Sequence, residues 1–216
     1  MLHRKLSLAA TAASLCFFGV TSGGATGRDA TASGAMPMPN DRAADSYAIY
    51  SVLMPGAPFD SMNSLQSQKW AIADTTISIS DMNPAIPPEG QLKAPKEHSN
   101  RFHEAVRDFE ARKYDRIQLT QQFHLGTPYT LMDAGQVAEF RQAKTSIAAD
   151  SGLQSKYAPY PGITFFSEVY FNSNHHAALV YMNNWCANLC QQGQWLYLEK
   201  HGGSWVKRSG IFQTMS

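Results

Sequence analysis

The run PGITFFSEVYFN from Pro161 to Asn172 is followed by AALVYMNNWCANLC from Ala177 to Cys190 and by GQWLYLEKHGGSWVK from Gly193 to Lys207. Apolar, β-favouring segments alternate here with short Gly, Asn and Ser breaks, the pattern of consecutive antiparallel strands. Ile163, Phe165, Ser167, Val169 and Phe171 share one face of the first strand, and Asn172 to His176 make the turn that follows. Ala177 to Met182 is almost wholly apolar, as a central strand covered on both faces must be. Trp195 to Lys200 comes next, Gly202-Gly203 predicts a tight hairpin, and Trp205 to Phe212 returns. Three of the four tryptophans and two of the three cysteines lie in this stretch, so the aromatic core and the crosslink are expected here.

A sheet with one apolar face needs helices to cover it, and the upstream chain supplies them. Asn40 or Asp41 can cap a helix that carries Ala43, Tyr47, Tyr50, Ser51 and Met54 on one face and stops at Pro55-Gly56. Phe102, Val106 and Phe109 form a stripe on a second helix, capped by Ser99 or Asn100 and running to about Lys113. Asp133 caps a shorter third helix with Val137 and Phe140. Trp70 to Ser80 and Asp115 to Phe123 read as strands, the first with a bulge near Asp74-Thr75 where the apolar parity shifts. Between them, Asn83 to Pro95 is a long irregular loop holding Pro84, Pro87, Pro88, Gly90 and Pro95. The expected fold class is α+β: an antiparallel sheet, with a C-terminal meander of about four strands, and two or three helices packed on it. A cystatin-like or NTF2-like curved sheet is the alternative architecture.

The N-terminus reads as an export signal. His3, Arg4 and Lys5 precede an apolar run from Leu6 to Val20 that is too short to span a bilayer comfortably. Thr21 to Ala25 are small, and cleavage near residues 22–25 suits them. The domain reading is therefore a signal peptide over 1–22, a flexible linker over 23–40 rich in Gly, Ala, Thr, Ser and Pro, and a single α+β domain over 41–216. Cys16 belongs to the apolar run, because Leu15 stands where a lipidation signal needs a small residue. Arg4 and Lys5 leave with the signal, taking the formal net charge from +1 to −1. So small a charge gives no electrostatic footprint for nucleic acid or anionic membrane, and no membrane span is expected in the mature chain. The expected location is the periplasm or the exterior of the cell.

In an oxidising compartment Cys186 and Cys190 are expected to form one structural disulfide that fixes the loop between two strands. Their C-x-x-x-C spacing is not the redox C-x-x-C, and no second pair completes a zinc site. His103-Glu104-Ala105-Val106-Arg107 starts like a zinc-protease helix, but Arg107 stands where the second histidine must lie. His175-His176 are adjacent in a turn, point apart, and read as solvated turn residues. No nucleophile elbow, P-loop or dinucleotide fingerprint occurs. Glu168 and Glu199 are the carboxylates within the sheet, and on a shared face they could form an acid/base pair.

Pro161-Gly162, Ser167 to Asn172, Ala178 to Tyr181, the loop Cys186 to Gly193, Leu198 to Lys200 and Gly203 to Trp205 together resemble a pattern found in a group of uncharacterised exported bacterial proteins. Their C-terminal half runs P-G, S-x-V-x-F-N, A-L-V-Y, a Cys/Gly-rich loop, L-x-K and G-x-W. Tyr47 to Ser51 is similar to the first helix of that group. Trp185, Ala187 and Asn188 depart from its glycine-rich loop, and His175-His176 from its ordinary charged turn. The resemblance implies a fold and export but no catalytic residues.

These readings favour an exported, non-enzymatic binding or envelope-associated protein, because Tyr and Trp are abundant and suit recognition surfaces. Its partner is an envelope protein or a small ligand; no cofactor, metal ligand or catalytic residue is assigned. Trp185, Tyr181 and Trp195 are the expected contact residues. The alternative is a hydrolase whose site is assembled from Glu168, Glu199 and a histidine such as His124.

Overall fold

A computed structural model describes residues 34–54, 69–145, 151–187 and 190–208. The expected signal peptide and cleavage site, Cys16, residues 23–33 of the expected linker and the expected helix stop at Pro55-Gly56 lie outside these residues. So do the tip of the cysteine loop (188–189) and the end of the last expected strand. The described chain is mixed α+β, with five α-helices and a curled, mostly antiparallel sheet of seven strands.

The C-terminal stretch forms the body of that sheet. Strands β5 (Ile163–Phe166) and β6 (Tyr170–Phe171) both pair antiparallel with β7 (Ala177–Ala187). Strand β7 pairs along nearly its whole length with β8 (Cys190–His201), and β8 pairs with β9 (Ser204–Lys207). Gly202 and Gly203 have φ of +56° and +83°, the left-handed pair that a two-residue hairpin with matching twist requires. The first strand is not continuous as expected: it breaks at Ser167–Val169, where the chain leaves its ladder with β7. Ser167 stitches the break, its N–H donating to Tyr181 O and its Oγ accepting from Tyr181 N–H (2.9 and 2.8 Å).

Upstream strands extend the sheet in parallel, which the sequence pattern did not disclose. Strand β2 (Trp70–Ala73) lies between β5 and β4 (Tyr129–Met132), parallel to both. Strand β2 stops at Ala73, well short of Ser80, and Thr75 and Ile77 make only isolated bridges beyond it. The strand expected over Asp115–Phe123 shrinks to β3 (Ile117–Gln118), because its neighbours bond elsewhere: Leu119 N–H to Asp74 O, and Thr120 N–H to the Tyr47 hydroxyl. β3 pairs with β1 (Met36–Pro37), so the folded unit begins inside the segment read as linker.

Helix α1 (Asn40–Leu53) covers one face of the sheet, packing Tyr47, Ile49 and Tyr50 against Phe166, Val180, Leu196 and Leu198. Pro39 occupies the N-cap, without the side-chain bond expected from Asn40 or Asp41. The opposite face carries α2 (Pro88–Gln91), α3 (Ser99–Arg112), α4 (Ala134–Thr145) and α5 (Ser151–Tyr157). The expected stripe Phe102, Val106 and Phe109 is buried against Tyr170, Leu179, Trp195 and Tyr197. Asp133 caps α4 by accepting from Gln136 N–H at 2.8 Å, while the Gln136 amide oxygen accepts from Asp133 N–H, a reciprocal box. With helices on both faces, Ala177–Met182 is buried throughout, which is why its sequence does not alternate.

Candidate functional site

At the end of the sheet beyond α1, a pocket of about 520 Å³ is lined by Trp70, Pro161–Thr164, Asn184–Cys186 and Cys190–Gln192. The strand register explains which side chains meet there. Ile72 pairs with Thr164, Thr164 with Asn184, and Asn184 with Gln192, so these four lie in one row on one face. Trp70, two residues before Ile72, falls on the same face. Thr164 Oγ donates to Asn184 Oδ1 at 2.8 Å, which turns the Asn184 amide nitrogen away from that bond and leaves it to donate elsewhere. Asn184, Gln191 and Gln192 are exposed. Gly162 belongs to the same rim: a Cβ there would come within 2.8 Å of Trp185 O, so only glycine lets the two backbones approach so closely.

The disulfide between Cys186 and Cys190 is present, with Cα atoms 5.3 Å apart, and it forms one wall of the pocket. It closes the β7–β8 hairpin beside the bulge between Trp185 and Ala187. Trp185 also lines the pocket, but its indole packs on the other face of the sheet. There it meets Phe140 edge-on at 5.8 Å and the Arg141 guanidinium at 5.7 Å. The remaining two residues expected at a contact surface are core. Trp195 is fully buried, its Nε1–H donating to Ile86 O at 2.8 Å and its ring enclosed by Phe109, Tyr170 and Tyr181. Tyr181 is buried in the same cluster beneath α3. Their aromatic character signals packing under the Pro-rich segment, which α2 and Gln91 pin onto β8 through the Trp195 backbone N–H.

The two sheet carboxylates belong to separate clusters. Glu168, fully buried at the strand break, is bound by Arg112 of α3, and Arg42 of α1 lies 3.5 Å away. Arg42 also pairs with Asp108 at 2.6 Å, donates to Val169 O, and stacks over Phe171. Asp108 accepts from Phe171 N–H at 2.8 Å. Asp108 and Arg42 thereby satisfy the outward Phe171 N–H and the Val169 C=O just before β6, groups that a further strand would otherwise pair. Burial pushes the Glu168 carboxyl above its ordinary value, against the pull of Arg112 and Arg42. Glu199 instead accepts from the Tyr197 hydroxyl at 3.1 Å and pairs with Arg208 at 3.1 Å.

The register separates these two carboxylates further. Tyr170 pairs with Leu179 and Leu179 with Tyr197, so Tyr170 and Tyr197 are level two strands apart. Glu168 lies two residues before that level and Glu199 two beyond it, which puts their Cα atoms roughly 16 Å apart by strand dimensions. Each carboxylate is held by its own arginine, so the structure does not bring the two together as one acid/base pair. His124 is exposed and its backbone N–H bonds Ser51 Oγ, in contact with neither carboxylate.

The histidines divide. His103 is exposed, with Nδ1 at 2.8 Å from Ser99 O, and Glu104 accepts from the Ser173 N–H and hydroxyl. His176 is exposed, but His175 is half-buried: it stacks on Phe171 at 4.4 Å with Nδ1 3.5 Å from Asp45. It is a packing residue, not the solvated one expected. Among the described residues no group of three or more His, Cys, Asp or Glu is placed to hold a metal ion, and no helix is long and apolar enough to cross a membrane. No protein-family model matches the chain, and neither a curated protein nor a solved structure is similar to it.

Proposed function

We propose that this is an exported protein of the periplasm or cell exterior that binds a small ligand and does no chemistry on it. The observation that carries the reading is the pocket beside the disulfide. Its volume falls within the range of about 300–1,000 Å³ usual for small-molecule sites. It combines apolar surface from Trp70 and Pro161 with the hydrogen-bonding side chains of Asn184, Gln191 and Gln192, and the described lining includes no ionisable group. The buried carboxylates, by contrast, are tied to arginines away from it. A disulfide at the rim suits an oxidising compartment and holds one wall in place before any ligand arrives. The resemblance to exported bacterial proteins supports the location.

A thermal-shift screen of the mature, oxidised protein against glycans, peptidoglycan fragments, fatty acids and divalent metals tests the reading. A ligand that binds only the folded state adds about 2.7 kcal/mol at a hundredfold excess over its dissociation constant. Asn184→Trp, a bulky change at an exposed position on the pocket floor, is expected to keep the fold and abolish the shift. A ligand that stabilises wild type and Asn184→Trp equally binds elsewhere, and the pocket is then not the site.

A further inference from the structure

We infer that the pocket takes a neutral, polyhydroxylated ligand, a saccharide; this rests on the reading of the pocket as the binding site and narrows it to one class of ligand. The polar lining consists of Thr164, Asn184, Gln191 and Gln192. Each offers a hydroxyl or an amide, groups that donate and accept at once and carry no charge. Hydroxyl-rich ligands present the same mixture of donors and acceptors, so every amide can be satisfied in either sense.

The competing classes fit less well. A charged ligand would lose its hydration against a wall that offers no counter-charge, since the described lining contains neither Lys, Arg, His, Asp nor Glu. A fatty acyl chain would meet the apolar surface of Trp70 and Pro161 but would offer no hydrogen-bonding partner to the amides of Asn184, Gln191 and Gln192. A peptide added as a further strand needs a free backbone edge. The pocket floor offers none at Thr164 and Asn184, because β5 is flanked there by β2 and β7, and β7 by β5 and β8.

Trp70 completes the match. Only 8% exposed, it is held among core side chains with little freedom left to lose. The exposed edge of this rigid side chain lies next to the amides of Asn184, Gln191 and Gln192, which puts an apolar strip and a polar row side by side. The ring of a pyranose has the same division between its C–H face and its hydroxyl rim.

The test titrates the full mature protein with chitobiose, cellobiose and maltose, following the side-chain amide resonances of Asn184, Gln191 and Gln192 and the Trp70 indole by NMR. At least one sugar is expected to move these resonances saturably. Its affinity should change little with salt, as for an uncharged ligand, and should fall about five- to tenfold in Gln192→Leu and in Asn184→Leu. Both positions are exposed, so both variants should fold; an unchanged amide spectrum away from the pocket checks this. If the sugars leave the resonances still while a fatty acid or a tripeptide moves them, the saccharide assignment is overturned and the binding site stands. If no ligand of any class moves them, both readings fall together.

Discussion

Arg112→Met tests whether the buried ion cluster at the strand break is held by charge balance. Arg42 and Arg112 face Asp108 and Glu168, and the four charges sum to zero. The substitution leaves the fully buried Glu168 with Arg42 alone, 3.5 Å away and already committed to Asp108 at 2.6 Å. Removing one partner of such a pair costs about 3–5 kcal/mol at neutral pH, because a charge is left buried without compensation. That is a large part of a domain's usual margin of about 5–15 kcal/mol. The penalty has a direction in pH. Burial already raises the Glu168 carboxyl above the ordinary value of 4.5, and loss of Arg112 raises it further. A carboxyl whose folded pKa exceeds its unfolded one holds more protons in the folded state, so stability falls as pH climbs from the unfolded value through the folded one. The deficit relative to wild type should therefore be small below about pH 4 and grow toward neutrality. Urea unfolding followed by tryptophan fluorescence across that range measures it. Adding Glu168→Leu to Arg112→Met should recover most of the loss and flatten the pH dependence. A deficit independent of pH, or a double variant no more stable than the single, would refute the reasoning.

Three further outcomes follow from the packing. Gly193→Ala places a Cβ 1.9 Å from the Tyr181 hydroxyl oxygen and 2.7 Å from its ring, so the ring must shift against Trp195; overpacking of this kind costs about 1–3 kcal/mol, read as a lower thermal midpoint, and an unchanged midpoint would count against the close packing. Asp45 accepts from Lys200 Nζ at 2.7 Å and from the Trp205 indole at 2.9 Å, and although burial pushes its carboxyl up, these partners together hold it below its ordinary value. Asp45→Ala should cost about 1.5–3 kcal/mol near neutral pH; since the pKa is depressed on folding, the difference from wild type should narrow as pH falls through the folded value, and a constant difference would argue against the ion pair. Replacing Cys186 and Cys190 by serine opens a loop so short that only about 2 kcal/mol is lost on the chain-entropy account. Denaturant midpoints of the oxidised and serine forms decide this, a loss above twice that figure showing that the bridge also holds packing in the folded state.

Local sequence determined the elements whose signal is periodic or chemical. The stripe of Phe102, Val106 and Phe109, the Asp133 cap, the apolar run of β7, the glycine pair at 202–203 and the cysteine pair each act within a few residues, where spacing alone sets the geometry. The α+β class followed from them. Tertiary structure decided what depends on neighbours remote in the chain. Strand β2 reads as an ordinary apolar segment, and nothing in it states that β4 and β5 will run parallel on either side. Arg42 meets Asp108 sixty-six residues away, and the reason is the unpaired edge of β6, a feature that exists only once the first strand has broken. The pocket was half legible for the same reason. The disulfide marks its rim in the sequence, whereas Trp70, Thr164, Asn184 and Gln192 come from four strands and share a face only through their register. Trp185 and Trp195, the aromatic residues that stand out on reading, are turned to the opposite face, under α4 and α3 respectively. Side-chain identity is local, but the face it points to depends on which strands pair and in what register, and a shift of one residue would exchange pocket for core.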